Sequence, residues 1–432
     1  MDKAIELLRQ RVDAFEVFTQ RSESTSISFE AGTLKTAAVK ESSGIGCRVL
    51  VAGRSGLSST SRLDRIEDMV DSASASAAFG ERLPFAFPGA AAGCEVGGYD
   101  EGVVGLSIDS LIGRGRSLVD ALRAICPEGS ADVYIGRGVS RFEFVNSSGQ
   151  RFSSRHTSYS ASVSLERFDD EDILSVYDSD SSTADDVDAD ALIASVRQRF
   201  SDAQRIVKID PGRHAVLFAP RCVIALLVPV EVALSGKNVA QGVSALADKR
   251  GERICSEKLT VIDDATLPDR ASSAGHDDEG VPTRPLTLIE NGVLQAFYTD
   301  LYSAARLGGE STGHASRGMG SIPSPATSNV LIRPGETALA EMIASVDCGL
   351  LVDTVLGIGQ GNPLSGDFSN ALGLAFRVEK GEIIGRLKNT SIAGNVYEDL
   401  HRVAALEDEA HWVHGSLHFP HVLLEQLSVA AK

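Results

Sequence analysis

The chain has 432 residues, with 41 basic and 59 acidic side chains and a formal net charge of −18. At 43% hydrophobic and 23% charged residues it reads as an ordinary soluble globular protein, neither disordered nor fibrous. The acidic balance argues against direct nucleic-acid binding, which needs clustered Lys and Arg to neutralise phosphates.

The first residues, MDKAIELLRQRVDAFEVF, are charged throughout and lack the apolar centre of a signal peptide. Ala4, Leu7, Leu8 and Val12 recur at helical spacing over residues 3–13. Alternation over residues 15–19 and 26–29 predicts strands, with a turn at Ala31-Gly32. Residues 44–60 read as a hairpin turning at Ala52-Gly53-Arg54. Leu63, Ile66, Val70, Ala73 and Ala77 then line one face of a helix ending near Gly80. Residues 83–98, rich in Pro, Gly and Ala, read as a linker. A second amphipathic helix spans residues 107–126, capped by Ser107 or Asp109 and stopped by Pro127. Residues 133–139, 141–149 and 152–168 predict a strand meander.

Residues 169–190 hold ten Asp or Glu and no Lys or Arg. Their spacing lacks the Gly and closing Glu of a calcium loop, so a solvated acidic face or the start of a helix over 191–200 is expected. Residues 215–219 form a short apolar strand, and residues 220–235 an apolar helix that Pro229 should kink or interrupt. Two hairpins follow, around Asn291-Gly292 and Lys380-Gly381. The fold class is therefore α+β: an N-terminal mixed sheet-and-helix domain (1–205) and a β-rich C-terminal domain (206–432). The longest apolar run, residues 223–230, is far short of the ~20 residues of a membrane span. Six cysteines without a C-x-x-C pair fit reduced thiols, and a cytoplasmic location is expected.

Six constellations could carry chemistry. Asp277, Asp278, Glu279 and Gly280, after His276, could hold a cation or a peptide amine, or form a polar turn entering a strand. Ser311 and His314 suggest a nucleophile and base, but adjacency in sequence fixes no geometry, and a loop is expected. The glycine-rich segment 357–369, with Ser365, Gly366, Asp367 and Phe368, does not end in a phosphate-binding Gly-Lys. Gly394-Asn395 reads as a tight turn. The apolar helix offers only Glu231 as a metal motif. Four of the nine histidines lie in residues 411–421, where spacing nominates His411 and His414 as metal ligands, although Gly415 and Pro420 argue against a continuous helix.

Taken in order, Asn146-Ser147-Ser148-Gly149, Asp277 to Arg284, Ile289-Glu290-Asn291-Gly292, Ser311-Thr312-Gly313-His314, Ser365 to Ser369 and Ile392-Ala393-Gly394-Asn395 resemble the TldD/PmbA family, historically labelled modulators of DNA gyrase. The glycines of residues 44–56 fit as well. The resemblance implies one of two subunit types. The TldD type carries H-E-x-x-x-H on a helix, whose two histidines and a downstream cysteine hold zinc; the TldE/PmbA type lacks it. The two associate into a protease that admits peptides or unfolded proteins to an enclosed chamber, where the peptide pairs like an added strand.

Counting back from Ser235-Gly236 places Leu227 and Val228 where the first His and the Glu would stand, and Val232 at the second His. Apolar side chains neither ligate zinc nor accept a proton. The resemblance therefore implies a non-catalytic TldE/PmbA-like subunit with no cofactor of its own. Zinc is then expected only in a TldD-type partner. Asp277 to Gly280, Ser365 to Phe368 and Asn395 are the positions expected to bind peptide or to serve as structural motifs. The expected partners are a second copy or an H-E-x-x-x-H paralogue, and a peptide or unfolded protein. The alternatives are a homodimeric peptide-binding scaffold, or an independent hydrolase built on the C-terminal histidines or on Ser311 and His314.

Overall fold

A computed structural model describes residues 1–169, 172–360 and 362–431. Asp170 and Glu171 of the acidic tract, and Gly361 of the glycine-rich segment, lie outside them.

Helix α1 (Asp2–Arg11) leads into β1 (Ala14–Glu30), β2 (Thr33–Val51) and β3 (Arg54–Thr60). Helices α2 (Ile66–Ser76), α3 (Glu101–Gly105) and α4 (Ile108–Arg123) follow, then β4 (Ser130–Asn146), β5 (Arg151–Asp169), β6 (Asp172–Ser182) and α5 (Ala189–Asp202). The six strands form one antiparallel sheet in the order β3-β2-β1-β4-β5-β6. Residues 15–19 and 26–29 belong to a single long strand, as do 133–139 and 141–146, because the polar stretches between them are paired on both sides, and residues 147–149 form the turn that follows.

Phe15, Val17 and Ile27 share parity on β1 and therefore one face of the sheet. The first two pack under α1 and α2, the third under α4 and α5. Glu16 and Phe18 point to the opposite face. Residues 83–98 are irregular but not idle: Asn146 Nδ2 donates to Pro88 O at 2.8 Å, and Phe87 lies under the Arg48 guanidinium.

Of the acidic tract, residues 172–182 form β6 and Asp188 caps α5. Asp172 is paired with Arg386 and Lys388, Asp178 with Arg199 and Arg221, and Asp185 with Arg114. Asp188 caps α5 by accepting from Ala191 N at 2.9 Å. Cations from outside the segment thus pair with three of its carboxylates, those of Asp172, Asp178 and Asp185.

In the second half, β7 (Ile206–Val207) and β8 (Gly212–Phe218) precede α6 (Pro220–Leu234) and the short α7 (Gly236–Ala240). Next come β9 (Val261–Asp263), β10 (Leu286–Glu290), β11 (Val293–Leu294) and α8 (Leu301–Arg306). The ribbon β12 (Ala315–Ser316) with β13 (Ser324–Pro325), then β14 (Val330–Ile332) and α9 (Leu339–Ala344), lead to β15 (Cys348–Val355). The chain continues through β16 (Asp367–Glu379), β17 (Glu382–Leu387), β18 (Thr390–Asn395) and α10 (Val396–Asp399). It closes with β19 (Val403–Leu406), β20 (His411–Val413), β21 (Leu417–Phe419) and β22 (Val422–Ala431). Helix α6 runs through Pro229 without a break. The Asn291-Gly292 and Lys380-Gly381 turns both have the positive φ angles a tight hairpin requires.

Strands β15, β8, β22, β18 and β16 pair successively, and β16 pairs back with β15, so the ring closes. Alternate residues serve different cores: Val216, Phe218, Leu350, Val352 and Leu424 pack with α6, whereas Leu217, Leu351 and Leu423 join α4, α5 and the first sheet. One hydrophobic cluster therefore spans both halves of the chain. No helix of the described residues is long and apolar enough to cross a membrane.

Candidate functional site

Helix α6 is built almost wholly of apolar side chains. Leu226, Leu227, Val230 and Leu234 are buried, and each contributes roughly 1.5–3 kcal/mol of burial. Val228 and Val232, one turn apart, are half-buried. None of Leu227, Val228 and Val232 has a lone pair to offer, so these positions do not fit a zinc ion. The thiol of Cys222 is buried at the helix start, and burial pushes its pKa up. Glu231 is the one carboxyl on the helix; burial, then the charge of Asp263, push it up to about 7. Tyr298 Oη donates to Glu231 O at 2.9 Å, and Gly236 N donates to Tyr298 O at 2.8 Å. A Cβ on Gly236 would lie 2.5 Å from Thr299, so only glycine admits this close approach.

The Ser365–Phe368 loop and Asn395 come together against the same helix. Asp367 lies opposite Asn395 in the β16–β18 ladder. Asn395 Nδ2 donates to Ser365 O at 2.9 Å and to Asp367 Oδ1 at 2.8 Å. Gly366 takes φ +77°, with Tyr397 packed over it, and Tyr397 Oη donates to Pro229 O of α6 at 3.3 Å.

Asp277 to Gly280 lie elsewhere, against the first sheet. Asp277 Oδ1 accepts from Glu279 N and Val281 N, each at 2.9 Å, and Oδ2 from Ala315 N at 3.1 Å. Burial and Glu279 push its carboxyl up to about 8 against these three donors. Asp278 accepts from Arg317 N at 2.8 Å. Glu279 accepts from Arg48 Nη2 at 2.8 Å and from Leu301 N at 2.7 Å. Arg48 also donates to Glu16, its cross-strand neighbour, and Arg317 pairs with the same Glu16. Gly280 sits at φ +82° against Phe144 and Gln150. Arg48, alone among apolar neighbours in Cys47-Arg48-Val49-Leu50, was the available sequence signal for this buried network.

Ser311 and His314 do not meet as nucleophile and base. Ser311 Oγ donates to Thr299 O at 3.2 Å, while His314 Nε2 faces Asp263 Oδ1 at 3.2 Å and Nδ1 faces Thr312 O at 3.0 Å.

The C-terminal histidines lie on a hairpin, with the chain turning at His414-Gly415 through positive φ. His411 opens β20 and His414 sits in the turn beside Arg221, so extended backbone rather than a helical turn runs between them, although both border one cavity. His411 meets Glu407 and His421 instead. Burial raises the Glu407 carboxyl, but hydrogen bonding and charge from His421, with the charge of His411, outweigh it and hold it below its usual range. Glu407 escaped the sequence reading because Asp408 and Glu409 stand beside it with equal claim.

Two further features are open. A groove of about 840 Å³ runs between β3 and α2 on one wall and α7, α8 and the loop 320–324 on the other. Phe79 and Ile322 on its rim are 93% and 66% exposed. Among the described residues, β2 pairs over 33–44 with β1 alone, because β3 begins pairing at Ile45. Gly44, at the inner end of this free edge, packs against Met319, next to the Gly320 that lines the groove.

Residues 211–431 match the family model of the PmbA/TldA metallopeptidase C-terminal domain, and residues 15–77 that of domain 1. An uncharacterized protein of Methanocaldococcus jannaschii is 27% identical over 94% of this chain and 95% of its own. A metalloprotease of Methanothermobacter thermautotrophicus is 33% identical over 48% of this chain, an alignment spanning 46% of that protein. The fold is that of the crystal structure of TldE from Thermococcus kodakarensis, with a TM-score of 0.93, 24% identity and full coverage of both chains.

Proposed function

The chain belongs to the TldD/PmbA family of metallopeptidases, and we propose that it serves there as a subunit without a catalytic centre of its own. It walls a chamber and presents strand edges to peptides or unfolded proteins, which a zinc-bearing TldD-type partner cleaves. The observation that carries this reading is the apolar surface of α6, on which counting back from Ser235-Gly236 sets Leu227, Val228 and Val232 in register with H-E-x-x-x-H. A zinc ion would have no ligand and an attacking water no base at those positions. The Asn395 and Tyr397 contacts tie the Ser365–Phe368 loop to this helix, so the loop is a candidate wall of the chamber.

The free edge of residues 33–44 supports the peptide part of the reading. Its unpaired N–H and C=O groups are a template for an added strand, and it leads to the groove beside α7 and α8. The same edge favours the competing reading, a homodimeric peptide-binding scaffold.

The test mixes the purified chain with an H-E-x-x-x-H paralogue from the same source. A heteromer is expected, with peptide cleavage that needs both chains and stops on chelation. A chain that joins no such paralogue and sediments as a homodimer would sink the heteromeric reading in favour of the scaffold.

A further inference from the structure

Glu407, His411 and His421 converge at one point, although they come from three different segments of the chain. Glu407 follows β19, His411 opens β20, and His421 stands just before β22. His421 Nδ1 lies 2.6 Å, and His411 Nε2 3.2 Å, from the same oxygen, Oε2 of Glu407. One donor atom from each residue falls within 4.8 Å of the other two, and no other His, Cys, Asp or Glu group among the described residues does so. The two rings are nearly perpendicular, at 85° with centroids 6.0 Å apart, so the nitrogens approach the carboxylate from different directions.

The backbone holds this arrangement in place. Leu406 pairs with Val422 and His411 with Phe419, each in an antiparallel ladder. Glu407 N donates to His421 O at 3.1 Å, and His421 N donates to Glu407 Oε2 at 3.1 Å. Glu407 and Phe419 are buried, so the carboxylate cannot swing out to solvent. Two imidazoles and one carboxylate are the protein ligands of mononuclear zinc centres that keep a coordination position open, and of related divalent-metal sites. His411 and His421 also border a cavity of about 260 Å³, shared with Arg199, Arg221, Asp353 and His414.

We infer that Glu407, His411 and His421 form a site for a divalent transition-metal ion, zinc fitting its two-nitrogen, one-oxygen donor set, with a further coordination position toward this cavity. His421 would ligate through Nδ1 and His411 through Nε2, each as the neutral imidazole, and the buried carboxylate would offset part of the ion's charge. The site lies at the first turn of α6, through Arg221, and not at Leu227 to Val232. It does not depend on a partner subunit, so its failure would leave the proposed function standing.

The experiment strips the full-length chain with a chelator and titrates it with zinc chloride alone, following heat and bound metal. One ion per chain is expected, with affinity falling by more than the roughly 10- to 100-fold that loss of an outer-shell partner costs, in His411→Ala and in His421→Ala. The neighbouring His418→Ala variant, whose parent ring stacks on Trp412 away from that cavity, should bind as the parent does. Circular dichroism of the stripped variants separates lost ligation from lost folding; should His421→Ala unfold, the more exposed His411→Ala carries the comparison. No stoichiometric uptake by the folded parent chain, or uptake that survives both ligand substitutions, overturns the inference.

Discussion

Arg48 and Glu279 form a buried ion pair, with Nη2 2.8 Å from Oε1, that joins β2 to a loop 231 residues further along the chain. Neither side chain is open to water, and each has a second partner: Glu16 for Arg48 and Leu301 N for Glu279. Phe87 covers the guanidinium, with its ring centroid 5.1 Å away. The network closes over the face of the first sheet that the helices leave open. The two halves are therefore held on this face by charge together with aromatic contacts, such as Phe152 stacked on His276, and by apolar contacts on the other.

Removing one partner strands a buried charge, which costs far more than the net worth of the pair. Arg48→Met is expected to destabilise the chain by about 3–5 kcal/mol, read from the urea midpoint. Combining it with Glu279→Gln should recover part of that loss, because the orphaned charge is then gone. A double variant no better than the single one would show that packing, not charge, dominates there.

Glu231 predicts a pH dependence. Its carboxyl has an ordinary value of 4.5 and is pushed up to about 7 in the fold, so folding favours the protonated form. The stability it contributes is complete below pH 4.5 and is lost as pH rises to about 7. Glu231→Gln, which keeps the shape without the charge, should gain about 1–3 kcal/mol over the parent between pH 4.5 and pH 8. Urea unfolding at the two pH values measures it; a constant difference would show that Glu231 ionises as freely in the fold as in water.

The loop against α6 rests on Gly366. A Cβ there would fall 2.5 Å from the Tyr397 ring at φ +77°, so Gly366→Ala meets both a clash and a strained backbone. A loss of about 1–3 kcal/mol is expected in thermal unfolding. Tyr397→Phe removes only the bonds from its hydroxyl to Pro229 O and Leu364 O and should cost about 1 kcal/mol.

The free edge of β2 allows a test of the peptide reading that leaves the core untouched. Val39 is 51% exposed on it, and lysine on an edge strand discourages further pairing. Val39→Lys is expected to weaken peptide capture or heteromer cleavage about tenfold while shifting stability by less than about 0.5 kcal/mol. Unchanged capture would remove this edge from the proposed site.

The sequence by itself determined what depends on neighbours. Helical periodicity marks α1, α2 and α4, Asn291-Gly292 marks its hairpin, and the missing donors on α6 follow from residue identity alone. The α+β class and the family series were legible for the same reason: each motif is a local backbone requirement. Strand lengths were not legible, because the polar stretches of β1 and β4 are held by neighbours on both sides rather than by their own alternation. The acidic tract carries no cation, and only the fold brings Arg199, Arg221, Arg386 and Lys388 to it. Likewise, helical spacing pairs His411 with His414, but the segment between them is the strand β20, and strand pairing delivers Glu407 and His421 to His411 instead. Hydrophobic pattern and turn chemistry act over a few residues, whereas charge pairing and metal-ligand convergence act across space. Only the tertiary structure decides the latter.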